Sequence, residues 1–407
     1  MKLYFNILWI VLFIFKIEAQ TQLKLMSYNL LGYPSATGTD RKDELRYILN
    51  SYQPDIFMAC EIEDETGADE ILNYCLGTQY YDSSYFTYNH SGSYPLQQMM
   101  YFNKHKFELV NETYLVTYIR DINHYTLKLK AENPADALYL DIYVSHLKAG
   151  NYNGDPQTRE DMVNVLINDL SNIPAGHFVI LAGDFNLYNA NEAAYQRLIN
   201  PNNAIVFHDP VNRPGSWHNN INFKDIHTQS THAVSENDFV GGGLDDRFDF
   251  IMLSSNLMNS PVLHYVTNSY AAYGNNGTCF NKAINSSYCQ GSTYDLNLRQ
   301  HLFNMSDHLP VVLSLETPVA LGIDDLEVTS KFSLAEGYII HDEMHILGGG
   351  KQVINVMIYN TSGQLVMQQR HYTTDDALNV SGLASGVYFM QLQTVKNQQL
   401  IKFVKTD

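Results

Sequence analysis

The chain has 407 residues, too many for one ordinary domain, and its 45% hydrophobic and 17% charged residues exclude a disordered chain. Its formal net charge is −18. Proteins that package or regulate nucleic acids bind phosphates through Lys and Arg. The acidity therefore argues against such a role, while it allows an enzyme that releases its substrate.

Residues 1–20 are predicted to be a secretory signal peptide. One early lysine precedes an apolar run that extends to Phe15, and small and polar residues follow around Ala19. Lys16 interrupts the run, which is too short to span a membrane. We therefore expect a secreted or cell-surface protein without a membrane span.

Four cysteines follow the signal peptide. Export permits disulfides, and we expect one between Cys279 and Cys289, which flank a polar loop. Cys60 and Cys75 could equally be small buried hydrophobic residues. No cysteine spacing in the sequence indicates a zinc site.

Strand and helix patterns alternate along residues 21–316. Apolar or alternating runs predict strands at 23–30, 54–63, 137–147, 178–183, 247–254 and 309–316. Helical periodicity predicts helices at 40–50, 68–76 and 155–170, the last of them capped by Asp155. This alternation indicates an α/β fold in which helices are layered over sheets.

Two other segments interrupt this pattern. Residues 200–246 are irregular and rich in Asn, His and Gly, and a long polar stretch inside a domain is typical of a functional or mobile segment. After a linker at 317–330, residues 331–407 form short alternating runs with turn residues between them. This last part is predicted to be a small all-β domain.

Polar residues recur where the predicted strands end. In a single case, such as GDFN, a capped turn is an equally good interpretation, but repetition at several strand ends favours a common site, because α/β proteins gather binding groups at these ends. A Ser/His/Asp triad is excluded, since Ser306, Asp307 and His308 are consecutive and cannot converge in an extended segment. The residues concerned are Asn29, Glu61, His146, Asp184, Asn186, Asp249, Asp307 and His308.

These residue types suit hydrolysis of a phosphoester. Glu61, Asp307 and the side-chain carbonyl of Asn29 are oxygen ligands, suited to Mg²⁺, Mn²⁺ or Ca²⁺ and poor for zinc. The histidines can donate to phosphate oxygens or protonate a leaving group. A carboxylate such as Asp184 can orient or deprotonate the attacking water. Together they indicate metal-assisted phosphoester hydrolysis.

The motifs MSYNLL, CEIE, SHLKA, GDFN, RFDFI and SDHLP, in this order, resemble those of the endonuclease/exonuclease/phosphatase superfamily, whose members include deoxyribonuclease I, sphingomyelinases and inositol phosphatases. The resemblance covers roughly residues 23–316. It implies a catalytic domain at 21–316 with a four-layer α/β sandwich, in which two packed mixed β-sheets are flanked by helices.

The resemblance also implies a metal site and a water-activating group. Asn29, Glu61 and Asp307 would hold the metal, and Glu63 is the competing ligand to Glu61. Asp184 would position or activate the attacking water. The implied cofactor is Mg²⁺, with Mn²⁺ or Ca²⁺ as alternatives.

The remaining motif residues are implied to bind the phosphate. Asn186 and His146 would contact it, and so would Arg120, in YIRDINHY. Asp249 would orient His308.

One feature departs from the deoxyribonuclease-like pattern. Where those relatives carry a glutamate that supports the first histidine, this chain has Gln97 and Gln98. A neutral amide can orient His146 but cannot stabilise its charged form, which argues against a strict deoxyribonuclease I mechanism.

The C-terminal residues resemble the sorting domain of the type IX secretion system of Bacteroidetes. VINVMIYNTSGQLV, GLASGVYFMQLQ and the terminal KFVK carry this resemblance. It implies that the secretion machinery is a partner of the tail. The alternative is a small β-sandwich that binds another ligand.

The leading hypothesis is a secreted, divalent-metal-dependent endonuclease that acts on extracellular nucleic acid as a monomer. A sphingomyelinase-like or phosphomonoesterase activity is the alternative, because the same residues serve all three reactions. A non-catalytic surface protein would be expected to lack Asp184 or His308, and both are present.

Overall fold

The structure is a computed structural model that describes residues 20–92, 96–322, 332–335, 337–347, 353–373, 376–393 and 398–406. The chain divides into two compact units, 1–322 and 323–407. The predicted signal peptide lies outside the described residues except for Gln20, and so does most of the predicted linker.

Two β-sheets form the centre of the first unit. One has the strand order β11-β13-β1-β2-β4-β3, with β12 also paired to β13, and the other has the order β5-β6-β7-β8-β10-β9. The strands are β1 (Thr21–Tyr33), β2 (Ile56–Ile62), β3 (Tyr81–Ser83), β4 (Gln97–Asn103), β5 (Phe107–Leu115), β6 (Ile122–Leu129), β7 (Tyr139–His146), β8 (Phe178–Asp184), β9 (Phe207–His208), β10 (Asp249–Ser254), β11 (His264–Tyr265), β12 (Ala271–Ala272) and β13 (Val311–Thr317).

Helices cover the outer faces of these sheets. The α-helices are α1 (Lys42–Tyr52), α2 (Glu65–Glu70), α3 (Asp155–Asp169), α4 (Ala193–Leu198), α5 (Ser255–Asn259) and α6 (Leu296–Met305). Short 3₁₀ segments lie at Ala36–Gly38, Pro134–Asp136, Leu170–Asn172 and Ile221–Phe223, and a π-helix at Ile71–Leu76 follows α2. The predicted helix at 68–76 is thus an α-helix that continues as a π-helix.

The core explains this layering. Alternate residues of the two sheets, such as Leu25 and Ile142, face each other in one buried cluster. The opposite face of the first sheet packs on α1 through Ile48, and that of the second packs on α3 through Leu166. Because the central strands are buried on both faces, β2, β8 and β10 are almost continuously apolar. The predicted four-layer α/β sandwich is confirmed.

The prediction that Asp155 caps α3 is wrong. The helix is preceded by Gly154, in a left-handed conformation, and Asp155 is its first residue. The Asp155 carboxylate instead accepts a hydrogen bond from the Tyr152 backbone N–H at 2.9 Å. It therefore shapes the turn before the helix.

Two parallel strand pairs bring polar residues to one edge of the sandwich. β1 runs parallel to β2, and β7 runs parallel to β8. Asn29 and Glu61 lie near the carboxyl ends of the first pair, and His146 and Asp184 end the second pair. The carboxyl ends of parallel strands meet at one edge, so these four side chains are brought together.

A glycine allows β7 and β8 to approach closely at this edge. Gly183 has φ +133°, and a Cβ built there would lie 1.9 Å from the backbone oxygen of Ser145. No residue with a side chain fits without moving β7. The sequence Gly183-Asp184 therefore sets the position of the aspartate relative to His146.

The four cysteines form one disulfide and two buried free thiols. Cys279 and Cys289 form a disulfide, as predicted. Cys60 and Cys75 are free and buried. They are small core residues in β2 and in the π-helix.

The first unit extends beyond β13. The backbone N–H of Gly322 donates to Lys130, and that of Glu132 donates to Ala320. Residues 320–322 therefore pair with the segment between β6 and β7, inside what the sequence suggested was a linker.

The second unit is all β. Its core includes Phe332, Met344, Ile358, Met390 and Phe403. Its strands are β14 (Ser333–Leu334), β15 (Ile339–Ile340), β16 (Glu343–Leu347), β17 (Val353–Asn360), β18 (Leu365–Thr373), β19 (Ala377–Asn379), β20 (Gly386–Gln393) and β21 (Gln398–Lys405). They form the sheets β14-β16-β19 and β15-β21-β20-β17-β18.

Within the described parts of either unit, no helix is long and apolar enough to cross a membrane.

Candidate active site

Three of the predicted site residues form one compact group. His146 Nε2 lies 3.5 Å from Asp184 Oδ2, and His146 Nδ1 lies 3.7 Å from Glu61 Oε1. The ligand atoms of these three residues all lie within 4.8 Å of one another. Because they come from β2, β7 and β8, the group exists only when the two sheets are packed.

Glu61 reaches this group through a break in β2. The pairing of β2 with β4 shifts between Ala59 and Ile62, and Glu61 has φ +62°. In a regular strand, residues 61 and 63 would face the same side. Here the Glu61 carboxylate accepts from the Gly32 N–H at 3.1 Å, whereas that of Glu63 accepts from the Ser35 N–H at 3.2 Å.

Asn29 faces the same group through its amide nitrogen. Asn29 Nδ2 donates to Glu61 Oε1 at 2.9 Å and to Asp184 Oδ2 at 3.1 Å. The predicted ligand atom, Oδ1, accepts from the Leu31 N–H at 3.0 Å. Asn29 thus stabilises both carboxylates by hydrogen bonds, and its role as a metal ligand stays a prediction.

His308 is paired with Asp249, as the resemblance implied. Its Nδ1 donates to Asp249 Oδ2 at 2.8 Å, and its Nε2 lies 3.8 Å from Asp184 Oδ2. Burial alone would lower the pKa of His308, but the charges of Asp249 and Asp184 raise it well above its ordinary value. The site therefore favours a cationic ring here.

The environment of His146, in contrast, favours a neutral ring. Burial lowers the pKa of His146 well below its ordinary value, and the charges of Arg120 and His308 lower it further. Arg120, the predicted phosphate contact, therefore lies within electrostatic reach of the ring. Two histidines whose pKa values move apart can perform different tasks at one pH.

Asp184 is crowded by other carboxylates. Burial raises the pKa of Asp184 to about 7, the charge of His308 lowers it, and Asp249 and Glu61 raise it. Its Oδ1 accepts from the Asn186 N–H at 3.0 Å. The side chain of Asn186 donates to the Leu147 carbonyl at 3.3 Å, so both polar residues of GDFN lie at the end of β8.

Asp307 directly precedes His308 in the chain. Its Oδ2 accepts from the Val240 N–H at 3.2 Å and from Gln229 Nε2 at 3.3 Å, whereas its Oδ1 is buried and has no hydrogen-bond partner among the described residues. Burial raises the pKa of Asp307 to about 6, the charge of His308 lowers it and that of Glu61 raises it. Asp307 does not belong to the compact group of Glu61, His146 and Asp184.

The residues present fit a divalent cation. A buried carboxylate oxygen without a donor, as in Asp307, is costly unless a cation or water satisfies it. Glu61 and Asp184 add carboxylate oxygens, the ligands that hard cations prefer. The observed donor set therefore suits Mg²⁺, Mn²⁺ or Ca²⁺.

The two glutamines at the start of β4 do not support His146. Gln97 Nε2 donates to the Glu63 carbonyl at 3.1 Å, and Gln98 Nε2 donates to the Asp121 carbonyl at 3.0 Å. Among the described residues, His146 Nδ1 is buried without a hydrogen-bond partner. Neither glutamine therefore orients His146 in this structure, and Glu61 Oε1 lies 3.7 Å from that nitrogen.

Two further residues at the site were not predicted. Gln229 Nε2 lies 2.8 Å from His308 Nε2 and can donate to it only while the ring is neutral, so it opposes the carboxylates that favour the cation. The buried Arg41 donates to the carbonyls of Leu30 and Met305 at 2.9 and 2.6 Å. It ties the end of β1 to the segment before Asp307.

Neither residue had a clear signal in the sequence. Gln229 belongs to the irregular stretch 200–246, where no periodicity places a side chain. Arg41 resembles an ordinary charged residue at a helix start. The only available signal was that a long polar segment inside a domain is often functional.

A four-layer α/β sandwich with clustered carboxylates and two histidines at one edge is typical of phosphoester hydrolases that use divalent metals. Residues 26–308 match the model of the endonuclease/exonuclease/phosphatase family, and the chain belongs to this family. Residues 340–406 match the secretion system C-terminal sorting domain, which confirms the predicted tail and marks the protein as exported. No curated protein matches the chain by sequence.

Several solved structures are similar in fold. D. rerio TDP2 complexed with a single-strand DNA product has 16% identity and a TM-score of 0.47, over 73% of this chain and 100% of that chain. The human Nocturnin catalytic domain with bound sulfate has 17% identity and a TM-score of 0.43, over 72% and 94%. A family protein from Bacteroides thetaiotaomicron has 15% identity and a TM-score of 0.45, over 74% and 96%.

Proposed function

We propose that the protein is a secreted, divalent-metal-dependent phosphodiesterase, specifically an endonuclease that hydrolyses extracellular nucleic acid. The observation that carries this proposal is the meeting of Glu61, His146, Asp184 and His308, with separations of 3.5 to 3.8 Å between the histidine nitrogens and the carboxylate oxygens. All of these groups come from one chain, so a monomer suffices.

Asp184 is proposed to orient and deprotonate the attacking water. Hydrogen bonds from Asn186 and Asn29 hold its carboxylate in place at the end of β8. A pKa raised to about 7 by burial makes this carboxylate a stronger base than an exposed aspartate.

His308 is proposed to stabilise the negative charge that develops on the phosphate. Asp249 keeps its ring oriented and favours the cation. The neutral His146 donates to a phosphate oxygen, and Asn186 and Arg120 contact the same group. The hydrogen-bond donors are therefore already in position before the reaction begins. A site with such preorganised donors stabilises developing charge at little reorganisation cost.

Glu61 and Asp307, together with Asn29, would hold Mg²⁺, Mn²⁺ or Ca²⁺. The cation, when bound, supplies positive charge that polarises the phosphoryl group.

A sphingomyelinase-like or phosphomonoesterase activity remains the alternative function, because the same groups act on any phosphoester. To test both, the full chain is incubated with supercoiled plasmid, sphingomyelin or p-nitrophenyl phosphate, each with Mg²⁺, Ca²⁺ or EDTA. We expect plasmid nicking that EDTA abolishes. Asp184→Ala and His308→Ala should each lose most of it, since a general base contributes about 10²- to 10⁴-fold and a donor that stabilises developing charge about 10²- to 10³-fold.

Plasmid that stays supercoiled while sphingomyelin or the monoester is hydrolysed would reject the nuclease assignment. Equal activity of Asp184→Ala would reject the assignment of the site. No hydrolysis of any substrate would leave the non-catalytic surface protein as the better account.

A further inference from the structure

Four exposed tyrosines lie near the candidate active site. Tyr85 and Tyr88 follow β3, Tyr114 lies near the end of β5, and Tyr118 lies in the turn between β5 and β6. The exposed fractions of Tyr85, Tyr88 and Tyr118 are 80%, 63% and 61%, and that of Tyr114 is 38%. We refer to these four residues as the tyrosine surface.

Hydrogen bonds hold the two segments of this surface together. Asn89 Nδ2 donates to the Ile119 carbonyl at 3.1 Å, and these two residues follow Tyr88 and Tyr118 directly in the chain. The Thr117 N–H donates to Ser91 Oγ at 2.7 Å. Such fixed segments present exposed rings without a large loss of conformational entropy on binding.

The rest of the surface is anchored to β5. The Tyr85 N–H donates to Glu112 at 3.1 Å, and Glu112 lies two residues before Tyr114. The ring of Tyr114 stacks on His90, with centroids 4.0 Å apart and planes 5° apart. Hydrogen bonds and ring stacking thus connect the segments that carry the four tyrosines.

The tyrosine surface adjoins the proposed phosphate site. Arg120 lies two residues after Tyr118, and its charge lowers the pKa of His146. In the sheet, Asn123 near the start of β6 pairs with Val144 near the end of β7, so the turn before β6 lies beside His146. The turn that carries Tyr118 therefore lies beside the proposed phosphate site.

The scarcity of positive charge on the tyrosine surface limits the kinds of partner that it can bind. Residues 84–92 contain no Lys or Arg, and residues 114–121 contain only Arg120, followed by Asp121. An anionic membrane attracts clusters of Lys and Arg, which this patch lacks. For the same reason, release of counterions from a polyanion can contribute little to its affinity.

Stacking of aromatic rings on bases supplies binding affinity that does not depend on positive charge. Aromatic side chains bind the faces of unpaired bases regardless of sequence, whereas a duplex hides those faces. We propose that the tyrosine surface stacks the bases of a single-stranded nucleic acid beside the phosphate to be cleaved. This inference rests on the proposed function and specifies its substrate class.

The test measures binding and cleavage separately in the full chain. Binding of a labelled thymidine oligonucleotide is followed by fluorescence anisotropy in EDTA, and cleavage is followed with Mg²⁺. The variants are Tyr88→Ala, Tyr118→Ala and the corresponding phenylalanine substitutions, which keep the ring. Tyr80→Ala is the control, because Tyr80 is 46% exposed and lies at the opposite end of β4, where Tyr81 pairs with Asn103.

We expect each alanine variant to raise the Kd and the KM for the oligonucleotide about fivefold or more, as loss of one stacked base would. The phenylalanine variants and Tyr80→Ala should match the wild type. An abasic oligonucleotide of equal length should bind more weakly and should not distinguish the variants. Hydrolysis of bis(p-nitrophenyl) phosphate should be unchanged throughout.

Kd values that the alanine variants leave unchanged would overturn the inference, whatever the hydrolysis results. The same holds if the abasic oligonucleotide distinguishes the variants equally, or if the variants reduce binding to sphingomyelin vesicles instead. Base-dependent binding without any hydrolysis of phosphodiesters would support the tyrosine surface and reject only the proposed function.

Discussion

Glu61 and Glu63 are two residues apart in sequence but occupy different environments. The irregular pairing of β2 turns Glu61 toward His146, whereas Glu63 bonds to Ser35 at the surface. The pair therefore offers a direct comparison of a site carboxylate with a neighbour of the same type.

We expect Glu61→Gln to reduce kcat/KM for phosphodiester hydrolysis at saturating Mg²⁺ by about 10²-fold or more, because a neutral amide oxygen binds a divalent cation more weakly than a carboxylate does. Activity is measured across a Mg²⁺ titration. Glu63→Gln is the matched control and should retain nearly full activity. Similar losses in both variants would contradict the placement of Glu61 at the metal.

His232 makes stability depend on pH outside the site. Its ring lies between Phe239 and Phe303, with centroid separations of 4.1 and 3.8 Å. Burial lowers the pKa of His232 from 6.5 to about 4. The folded state therefore binds fewer protons than the unfolded state between these values, so stability is full above pH 6.5 and falls as the pH drops toward 4.

His232→Phe should remove this dependence. Since each pKa unit corresponds to about 1.4 kcal/mol, the wild type should lose roughly 2 kcal/mol of unfolding free energy relative to the variant between pH 7 and pH 5. Urea denaturation at both pH values measures this difference. Parallel losses in the two proteins would show that His232 is not responsible.

The sequence predicted which residues gather at the site but not how each is oriented. Asn29 and His308 were found because they end or precede apolar runs, and strand periodicity places such positions at an edge. The turned amide of Asn29 and the bulge at Glu61 depend on contacts with β8 and β4, which no local pattern encodes. Gln229 depends on the path of an irregular segment, and its contact with His308 was not predicted for that reason.

At the scale of elements, the approach of β7 and β8 controls the site. Ser145 and Gly183 are paired in register, and only a residue without a side chain fits there. The apolar pattern predicted both strands, but their separation depends on a single close contact between backbones.

Gly183→Ala should lower the free energy of unfolding by about 3 kcal/mol, since the added methyl group would overlap the Ser145 backbone. It should also reduce activity by moving Asp184 away from His146. Gly154→Ala is the control: Gly154 has φ +98° but no atom within 4 Å of an added Cβ, so we expect a loss of about 1 kcal/mol from strain alone. Thermal denaturation and activity are measured for both, and equal effects would argue against a role of the close approach.

At the scale of the whole molecule, every group of the candidate site lies in the first unit. The last strand of its sheet, β13, ends at Thr317, and residues 320–322 still hydrogen-bond to the segment after β6. Residues 340–406 of the second unit match a sorting domain, and the proposed chemistry uses none of the described residues of that unit.

A chain that ends at Gly322 should therefore have the same kcat/KM for bis(p-nitrophenyl) phosphate as the full chain, and it should not be exported by the secretion machinery. Steady-state kinetics and assay of culture medium measure the two effects. A truncated chain that is folded by circular dichroism but inactive would show that the second unit takes part in catalysis.

The first and last strands of the first unit are paired in one sheet. β1 pairs with β13 from Thr21 to Ser27, and the hydroxyl of Ser306 donates to the backbone oxygen of Asn29, across 277 residues of chain. A chain still on the ribosome lacks His308 and the strand that holds it until synthesis of this unit is nearly finished. The candidate site is therefore completed only after residue 308 has been made, which keeps the proposed hydrolase inactive during most of its own synthesis.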